Sequence, residues 1–423
     1  MIDNSLTLTS LFAFILALAV AFAATPAVKM LAIRIKAVDV PRDSRRMHKT
    51  PIPRLGGLAI FLGFLVSILI FGRTGPQMAA ILVGAILLVA LGMVDDVVAL
   101  KPGIKFLGQI VAALIPTLAG VVITRFTNPF SAGGYFNLGI FSIPVTILWI
   151  VGITNAVNFI DGLDGLACGV SAIATVTMFV IAVLYSEYQI ALMMAALAGA
   201  CLGFLPYNMN PAKIFMGDTG SMFLGYILAV TSIQGLFKFY AVISFAVPFL
   251  ILGLPIFDTA FAMIRRMAHG QSPMHPDRGH IHHRLIDMGL SQKQAVASLY
   301  VISAILGLSA VVLTTSNEWK ALLFFVALCV AAGVAARIAF PKELKEELHE
   351  EMEEMREHGR HTEKTDAEGA EPAAEVVAQL LHAFCALTVN ILFVFMAENE
   401  TTCFSHVKQL SDHGKSFFFE FFT

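Results

Sequence analysis

The amino-acid sequence predicts an all-α polytopic membrane protein with about 11 transmembrane helices, and three observations lead to this fold class. First, 57% of the 423 residues are hydrophobic and 14% are charged, whereas an average soluble domain has about 25% charged residues. Second, the apolar residues form continuous runs long enough to cross a bilayer, without the alternation of barrel strands. Third, basic residues accumulate on one side of these runs.

The predicted membrane helices follow directly from the apolar runs. In chain order the runs are Leu6–Val28, Leu55–Phe71, Met78–Val94, Phe106–Ile123, Ile140–Thr154, Val170–Tyr185, Ile190–Leu205, Met222–Leu236, Val242–Ile264, Ala295–Leu313 and Ala321–Ile338. The first run has the length of a secretory signal peptide, but no basic stretch precedes it and many spans follow it. We therefore expect it to be retained as the first helix.

The distribution of Lys and Arg predicts the orientation of these helices. One side holds Lys29, Arg34, Lys36, Arg42, Arg45, Arg46, Lys49, Arg54, Lys101, Lys105, Lys213, Arg265, Arg266, Arg278, Arg284 and Lys293. The other side holds Arg73, Arg125, Lys238 and Lys320. Because cytoplasmic loops carry the excess of basic residues, we place the first side in the cytoplasm.

Composition divides the chain into three parts. Residues 1–340 contain the membrane helices, residues 341–375 are a charged tail and a linker, and residues 376–423 are an apolar extension. Within the extension, Val376–Ala397 is about long enough for one more span, but His382 and Asn390 interrupt it, so its insertion is left open. The net charge of −2 predicts no nucleic-acid partner, and the five scattered cysteines predict neither disulfides nor a zinc site.

Aspartates at the ends of the runs are the candidate catalytic residues, and all fall on the predicted cytoplasmic side. They are Asp95 and Asp96 in MVDDVV, Asp161 and Asp164 in NAVNFIDGLDGLA, and Asp218 in FMGDTGS. A single such aspartate is usually a helix cap, but three sites on one face favour a functional cluster. Converging carboxylates suit a hard cation such as Mg²⁺. Adjacent helical residues diverge by about 100°, so the two acids of the first pair are expected to have different roles.

A basic segment on the same side, HPDRGHIHHRL, is the second candidate site. It contains Arg278, His280, His282, His283 and Arg284. One alternative is a zinc site, but no nearby cysteine completes a set of ligands. A second alternative is a plain basic loop. We favour a third, a diphosphate clamp in which Arg and His donate hydrogen bonds.

Two further charged residues carry open alternatives. Lys105 could hold a lipid phosphate or could be an anchoring lysine at the membrane interface. Asp258, inside an apolar run, could pair with a basic group or line the site.

Five motifs in this order resemble one enzyme family over about residues 1–340. They are PRDSRRMHKTPIPRLGG, MVDDVVALKPGIKFLGQ, NAVNFIDGLDGLA, YNMNPAKIFMGDTGSMFLG and HIHHRL. They resemble the polyprenyl-phosphate N-acetylhexosamine-1-phosphate transferases of glycosyltransferase family 4. The resemblance implies a multi-pass protein of the bacterial cell membrane with a cytoplasmic active site. It also implies that the protein uses Mg²⁺, or alternatively Mn²⁺, to transfer a sugar phosphate from a UDP-amino sugar to a polyprenyl phosphate, releasing UMP.

Residue roles follow from the resemblance by motif. Asp218, together with Asp161, corresponds to the metal site, and Asp95 and Asp96 correspond to the acidic pair near the lipid phosphate. Asn158, Asp161 and Asp164 correspond to the nucleotide and metal region. The basic segment corresponds to the sugar-diphosphate contact, and we add Lys105 and Lys213 to the substrate-binding set.

The resemblance also predicts the substrates. In HIHHRL, Arg284 stands where the muramoyl-pentapeptide branch tends to have an acid, which favours the branch that uses UDP-N-acetylglucosamine. We expect undecaprenyl phosphate as acceptor, the lipid bilayer as environment and a homodimer as one possible assembly. The alternatives are a phospho-N-acetylmuramoyl-pentapeptide transferase and, from another class, a proton-coupled transporter. A transporter would show acids near the membrane centre on both halves of an internal repeat, whereas we find no repeat and the candidate acids lie at one face.

Overall fold

The computed structural model describes residues 4–40, 51–73, 75–127, 135–235, 243–268 and 280–315. Its helices are α1 (Asn4–Arg34), α2 (Gly57–Phe71), α3 (Pro76–Val98), α4 (Pro102–Leu118), α5 (Ser142–Ile160), α6 (Leu166–Leu184), α7 (Tyr188–Asn208), α8 (Gly217–Gly235), α9 (Ile243–Ile251), α10 (Gly253–Ala268), α11 (Ile281–Asp287) and α12 (Gln292–Thr315). Two antiparallel ribbons join strands β1 (Val38–Asp39) to β2 (Ile52–Pro53) and β3 (Arg125–Thr127) to β4 (Tyr135–Asn137).

The predicted helical membrane class is confirmed, but the predicted number of spans is not. Among the described residues, α1, α3, α5, α6, α7 and α12 are the six helices long and apolar enough to cross a membrane. The helices α2 and α4 and the first part of α10 are apolar but shorter. The predicted spans Ala321–Ile338 and Val376–Ala397, and the domain boundary near residue 340, lie outside the described residues.

The predicted ninth span, Val242–Ile264, is two helices in the structure. Residues 243–251 form α9, and α10 begins at Gly253. Pro255 has no N–H and restricts the residue before it, so it is tolerated in the first turn of a new helix and breaks a continuous one. The proline therefore explains why the apolar run does not form one helix.

The helix α8 lies at the centre of the bundle, packed against α5, α3 and α2. Nearly all of its side chains are buried, including the hydroxyls of Ser221, Thr231 and Ser232. A helix enclosed by protein does not need a lipid-facing apolar surface, which explains its modest hydropathy. The first turn of α8 carries Asp218, so the most enclosed helix positions this acid.

The first apolar run, α1, packs along α7 and α2. A Cβ atom added to Gly203 would collide with the backbone of α1 at Leu18, so the two helices approach closely where the side chain is absent. Close helix approach at small residues is the usual packing mode in membranes. The run predicted to be a retained helix is therefore an integral part of the helical bundle.

The segment before α2 attaches to the segment before α8. Phe215 donates its N–H to Pro53 O at 2.8 Å, and Gly56 donates to Phe215 O at 2.9 Å. A Cβ atom on Gly57 would overlap the backbone of Gly220, so only glycine permits this contact. These bonds place Arg54 beside the end of α3 and the start of α8.

Candidate active site

Asp96 links the last turn of α3 to the first turn of α8. Its Oδ1 accepts a hydrogen bond from the Asp218 N–H at 3.0 Å, and its Oδ2 accepts from the Thr219 N–H at 3.1 Å and the Thr219 hydroxyl at 2.6 Å. The side chain is 1% exposed. A carboxylate that accepts the free N–H groups of a helix start is a helix cap. Asp96 therefore has the geometry of a capping residue that orients Asp218.

Asp95 points to a different set of partners, as expected for adjacent helical residues. Its Oδ1 accepts from the Leu100 N–H at 2.7 Å, and its Oδ2 pairs with Lys105 Nζ at 2.9 Å. The same ammonium group forms an ion pair with Asp218 Oδ2. Lys105 thus lies between two carboxylates from α3 and α8, near the start of α4.

Asp218 has protein partners and is also accessible to solvent. Asn158 of α5 donates to its Oδ1 at 3.1 Å and to the Ser221 hydroxyl at 2.6 Å, and the Asp218 side chain is 27% exposed. The acid, the amide and Lys105 therefore form one connected polar cluster across α4, α5 and α8, which we call the Asp218 cluster.

Asp161 is the least constrained carboxylate of the site. It follows the last residue of α5, and within the described part of the chain its carboxylate makes no hydrogen bond or ion pair. Burial, followed by the negative charges of Asp218, Asp96 and Asp164, raises its pKa to about 8. A group that is costly to ionise beside other carboxylates is one that a bound cation would stabilise.

Asp164 holds the loop that follows α7. Its Oδ2 accepts from the Asn210 side-chain amide at 2.9 Å and from the Ala212 N–H at 3.0 Å. The same Asn210 amide reaches Gln292 Oε1 of α12 at 2.7 Å. Lys213, predicted to bind substrate, ends this loop with its side chain exposed. The geometry of Asp164 is that of a loop anchor.

The basic segment divides into buried and exposed residues. His280 and His282 are buried, His283 is partly exposed, and Arg284 is exposed beside the ring of Phe261. Arg278 lies outside the described residues. Among the described residues of the segment, His280 and His282 are therefore packed into the bundle and Arg284 is not.

The ring of His282 lies against the turn that contains Asp161. A Cβ atom added to Gly162 would overlap His282 Nε2, so the imidazole edge packs on the glycine itself. Burial, followed by the nearby His283, lowers the pKa of His282 to about 3. The ring is therefore neutral at neutral pH and next to a candidate metal ligand.

Sequence reasoning missed several residues of this site. The Arg54 guanidinium donates to Asp96 O at 3.1 Å and to Asp95 O at 3.4 Å, and it lies 3.8 Å from the Asp96 carboxylate. One turn deeper, Gln109 and Asn155 form an amide pair at 2.6 Å. The PRLGG and KFLGQ strings contain Arg54 and Gln109, but neither string by itself indicates a hydrogen-bond partner.

The donor set fits Mg²⁺ better than zinc. The described residues contain no group of three or more His, Cys, Asp or Glu side chains arranged around a metal position. Zinc usually takes four protein ligands, or three plus a water molecule, whereas Mg²⁺ is held by one or two carboxylates plus water and substrate phosphates. Asp161 and Asp218 are two carboxylates of the type that a Mg²⁺ site would need.

The apolar helices, with carboxylates, a lysine and histidines gathered at their ends, define a membrane protein built to handle charged substrates. The profile described as glycosyl transferase family 4 matches residues 78–236. A probable undecaprenyl-phosphate N-acetylglucosaminyl 1-phosphate transferase of Bacillus subtilis is 44% identical over 327 residues, covering 77% of this chain and 91% of that protein. The chain belongs to glycosyl transferase family 4, as the motif resemblance predicted.

Two further relatives show the breadth of the similarity. The decaprenyl-phosphate N-acetylglucosaminephosphotransferase of Mycobacterium tuberculosis is 36% identical over 348 residues, which are 75% of this chain and 86% of that protein. The phospho-N-acetylmuramoyl-pentapeptide-transferase of Chloroherpeton thalassium is 31% identical over 311 residues, which are 64% of this chain and 82% of that protein.

Proposed function

We propose that the protein transfers N-acetylglucosamine-1-phosphate from UDP-N-acetylglucosamine to undecaprenyl phosphate, releasing UMP. The observation that carries the proposal is the Asp218 cluster. Lys105 is held between Asp95 and Asp218, near the start of an apolar helix. An ammonium in that position can bind the phosphate head of a lipid whose chain remains in the bilayer. The neighbouring Asp161 then faces the soluble nucleotide, and His282 packs on the adjacent Gly162.

Asp161, Asp218 and Asn158 are the residues that would hold Mg²⁺, with Mn²⁺ as an alternative. When bound, the cation neutralises charge on the diphosphate of the donor. Without it, Asp161 lies close to other negative charges, which raise its pKa. The site residues therefore favour a positive partner at this position.

We propose direct attack of the lipid phosphate on the donor. A phosphate monoester has its second pKa near 6, so most of it is a dianion at about pH 7 and needs orientation more than a base. One of its oxygens bonds to the β-phosphorus, and the bond from that phosphorus to the oxygen of UMP breaks. Lys105 orients the attacking phosphate, and Asp95 orients Lys105. Asp96 contributes indirectly, because it caps the first turn of α8 and so orients Asp218.

The basic segment supports the choice of sugar. Arg284 is exposed, so it is accessible to a substrate, and it follows the three histidines of HIHHRL. Among the relatives, the N-acetylglucosaminyl 1-phosphate transferase of Bacillus subtilis is 44% identical and the muramoyl-pentapeptide transferase of Chloroherpeton thalassium is 31% identical. The muramoyl-pentapeptide nucleotide is the second candidate donor. Membership of a transferase family leaves the transporter hypothesis without support.

The cellular setting is part of the same proposal. We place the protein in the bacterial cell membrane, and the basic loops support an orientation with the site at the cytoplasmic face. The reaction would be the first membrane step of a cell-envelope polysaccharide or of teichoic acid. We keep the homodimer as a prediction. Cysteine replacements at Lys101, Lys213 and Arg284, which are exposed and lie on the same predicted side as the site, test the orientation, and labelling of any of them from outside intact cells would contradict it.

Release of UMP by purified protein in detergent is the direct test. With undecaprenyl phosphate and Mg²⁺, we expect turnover of UDP-N-acetylglucosamine and not of the muramoyl-pentapeptide nucleotide. Lys105→Met should lower turnover by about 100-fold, because a misplaced reactant costs that much. Lys101→Met is the matched control, since Lys101 is an exposed lysine at the same helix start. Equal activity of the two variants would contradict the role of Lys105.

The chemical route has a separate test. Direct attack needs both substrates bound together, so initial-rate plots should intersect. Protein incubated with labelled UDP-sugar but no lipid should carry no covalent sugar phosphate, and loss of Asp95 should slow transfer without trapping an intermediate. A stable phospho-aspartyl adduct at Asp95 or Asp96, or parallel initial-rate lines, would show that the route is a double displacement.

A further inference from the structure

Asp258 binds both the first histidine of the basic segment and the backbone that follows it. Its Oδ2 lies 2.8 Å from His280 Nδ1, and its Oδ1 accepts from the Ile281 N–H at 2.7 Å. Asp258 belongs to α10 and is 3% exposed, whereas Ile281 begins α11. One buried carboxylate thus fastens the start of α11 to α10, which resolves its open role: it pairs with a basic side chain.

The partners of His280 define which of its nitrogens carries the proton. An ionised carboxylate only accepts hydrogen bonds, so Nδ1 carries the hydrogen that faces Asp258. The other nitrogen, Nε2, lies 3.4 Å from an Arg266 guanidinium nitrogen, which can only donate. Both ring nitrogens therefore have partners within the protein, and the ring is buried. His280 is arranged to link elements rather than to bind substrate.

His280 in turn contacts the histidine that reaches the site. The rings of His280 and His282 are stacked, with centroids 5.7 Å apart and an interplanar angle of 13°. His282 packs on Gly162 and is 2% exposed. Its Nδ1 has no hydrogen-bond partner among the described residues. A buried polar atom without a partner is costly, so the position of this ring must be enforced by its neighbours.

We propose that Asp258, acting through His280, is a positioning residue that holds His282 against the Asp161–Gly162 turn. The inference rests on the proposed function, because it assigns the pair a role at the same site. Asp258 does not touch substrate, and its loss allows α11 to shift relative to α5. A shift of about 1 Å in a group that orients substrate can cost about 100-fold in rate.

Asparagine and glutamine at position 280 separate a positioning role from a catalytic one. The amide nitrogen of Asn is two bonds from Cβ, as is the donating Nδ1 of histidine, whereas the amide oxygen of Gln is three bonds away, as is the accepting Nε2. His280→Asn can therefore keep the bond to Asp258 and should retain turnover within about 10-fold of wild type. His280→Gln can keep only the hydrogen bond from Arg266, and its turnover should fall by about 100-fold. Equal losses in both variants, or full activity of His280→Gln, would overturn the proposal.

A double-mutant cycle tests the path to His282. Asp258→Asn should lower kcat by about 10-fold or more, and should change it by less than about 3-fold when His282 is already Ala. Asp287→Asn, at the exposed end of α11, is the matched control and should keep wild-type turnover. Losses that multiply in the double variant would show that Asp258 acts independently of His282.

Two features of the design keep the outcome interpretable. If Asp258→Asn does not fold, the comparison of Asn with Gln at position 280 still decides, since both variants keep Asp258. If the proposed function is wrong, the wild-type protein itself will release no UMP from UDP-N-acetylglucosamine. This result differs from failure of the positioning role, in which the wild-type protein is active. Where the wild-type protein releases no UMP from this donor, the same variants are compared with whichever UDP-sugar it uses.

Discussion

Substitution of Asp96 by Asn should destabilise the protein, whereas the same substitution of its neighbour Asp95 should not. Asp96 receives three hydrogen bonds from the first turn of α8 on two carboxylate oxygens. An amide has one oxygen, so at least one backbone N–H of Asp218 or Thr219 would face an NH₂ group. A buried donor without a partner costs about 1–3 kcal/mol, and lost interaction with the helix start adds about 0.3–1 kcal/mol.

A neutral amide is easier to bury than a carboxylate, which offsets part of these costs. We therefore expect Asp96→Asn to lower the free energy of unfolding by about 2 kcal/mol. This corresponds to a decrease in Tm of about 4–8 °C in a domain of 150–250 residues, and to the lower end of that range in a longer chain. Asp95→Asn keeps the bond from Leu100, and Lys105 keeps Asp218 as a partner. We expect Asp95→Asn to lower the free energy of unfolding by less than about 1 kcal/mol, which is the usual contribution of a partly exposed ion pair.

Two assays compare the variants: thermal unfolding in detergent measures their stability, and UMP release measures their turnover. We expect Asp95→Asn to unfold like the wild-type protein and to lose about 100-fold in turnover through displacement of Lys105. Asp96→Asn should lose stability and, as the first turn of α8 moves, turnover as well. Identical Tm values for Asp96→Asn and wild type, or an equal decrease in both variants, would refute the capping role of Asp96.

Three further predictions concern the same site. Gly162→Ala should lower turnover by about 100-fold with an unchanged fold by circular dichroism, because the new methyl group displaces the His282 ring; wild-type turnover would contradict the packing. Asp161→Asn should raise Tm without metal, because the folded protein raises the pKa of this acid to about 8 and therefore disfavours its charge. The increase in Tm should be complete above about pH 8, where the buried carboxylate of the wild-type protein is ionised, and it should shrink as the pH falls towards 4, because the protonated acid no longer destabilises the fold. A Tm difference that does not vary with pH would refute this prediction. EDTA should stop wild-type turnover and Mg²⁺ should restore it, and Asp218→Asn should be inactive at any Mg²⁺ concentration; full activity in excess EDTA would exclude a metal role.

The sequence predicted the composition of the site better than the roles within it. The strings around Asp95, Asp161 and Asp218 indicated that acids from distant parts of the chain converge, and the structure connects Asp95, Asp96 and Asp218 through hydrogen bonds and Lys105. The role of Asp96 depends on partners far away in the chain. Asp96 and Thr219 are 123 positions apart, so no local pattern indicates that one caps the helix of the other.

The helix boundaries show the same division. Strong apolar runs such as those of α3, α6 and α7 were predicted from hydropathy and lie within a few residues of the helices in the structure. The helix α8 begins earlier than the predicted Met222, because Asp96 accepts the N–H groups that start it. Hydropathy detects the apolar core of a helix and is insensitive to a polar first turn.

What the sequence determined by itself is a helical membrane protein of a transferase family, with aspartates, a lysine and histidines placed at helix ends. Hydropathy and charge are local properties that suffice for the membrane helices, and the transferase family follows from the resemblance of the five motifs. The tertiary structure alone decided that Asp96 caps, that Asp95 pairs with Lys105, and that Asp258 holds His280. Each of these contacts is made between different helices, and the first joins α3 to α8 across 123 positions of the chain. The direction of a buried polar side chain is set by the partner that packing brings to it, and only the folded chain supplies that partner.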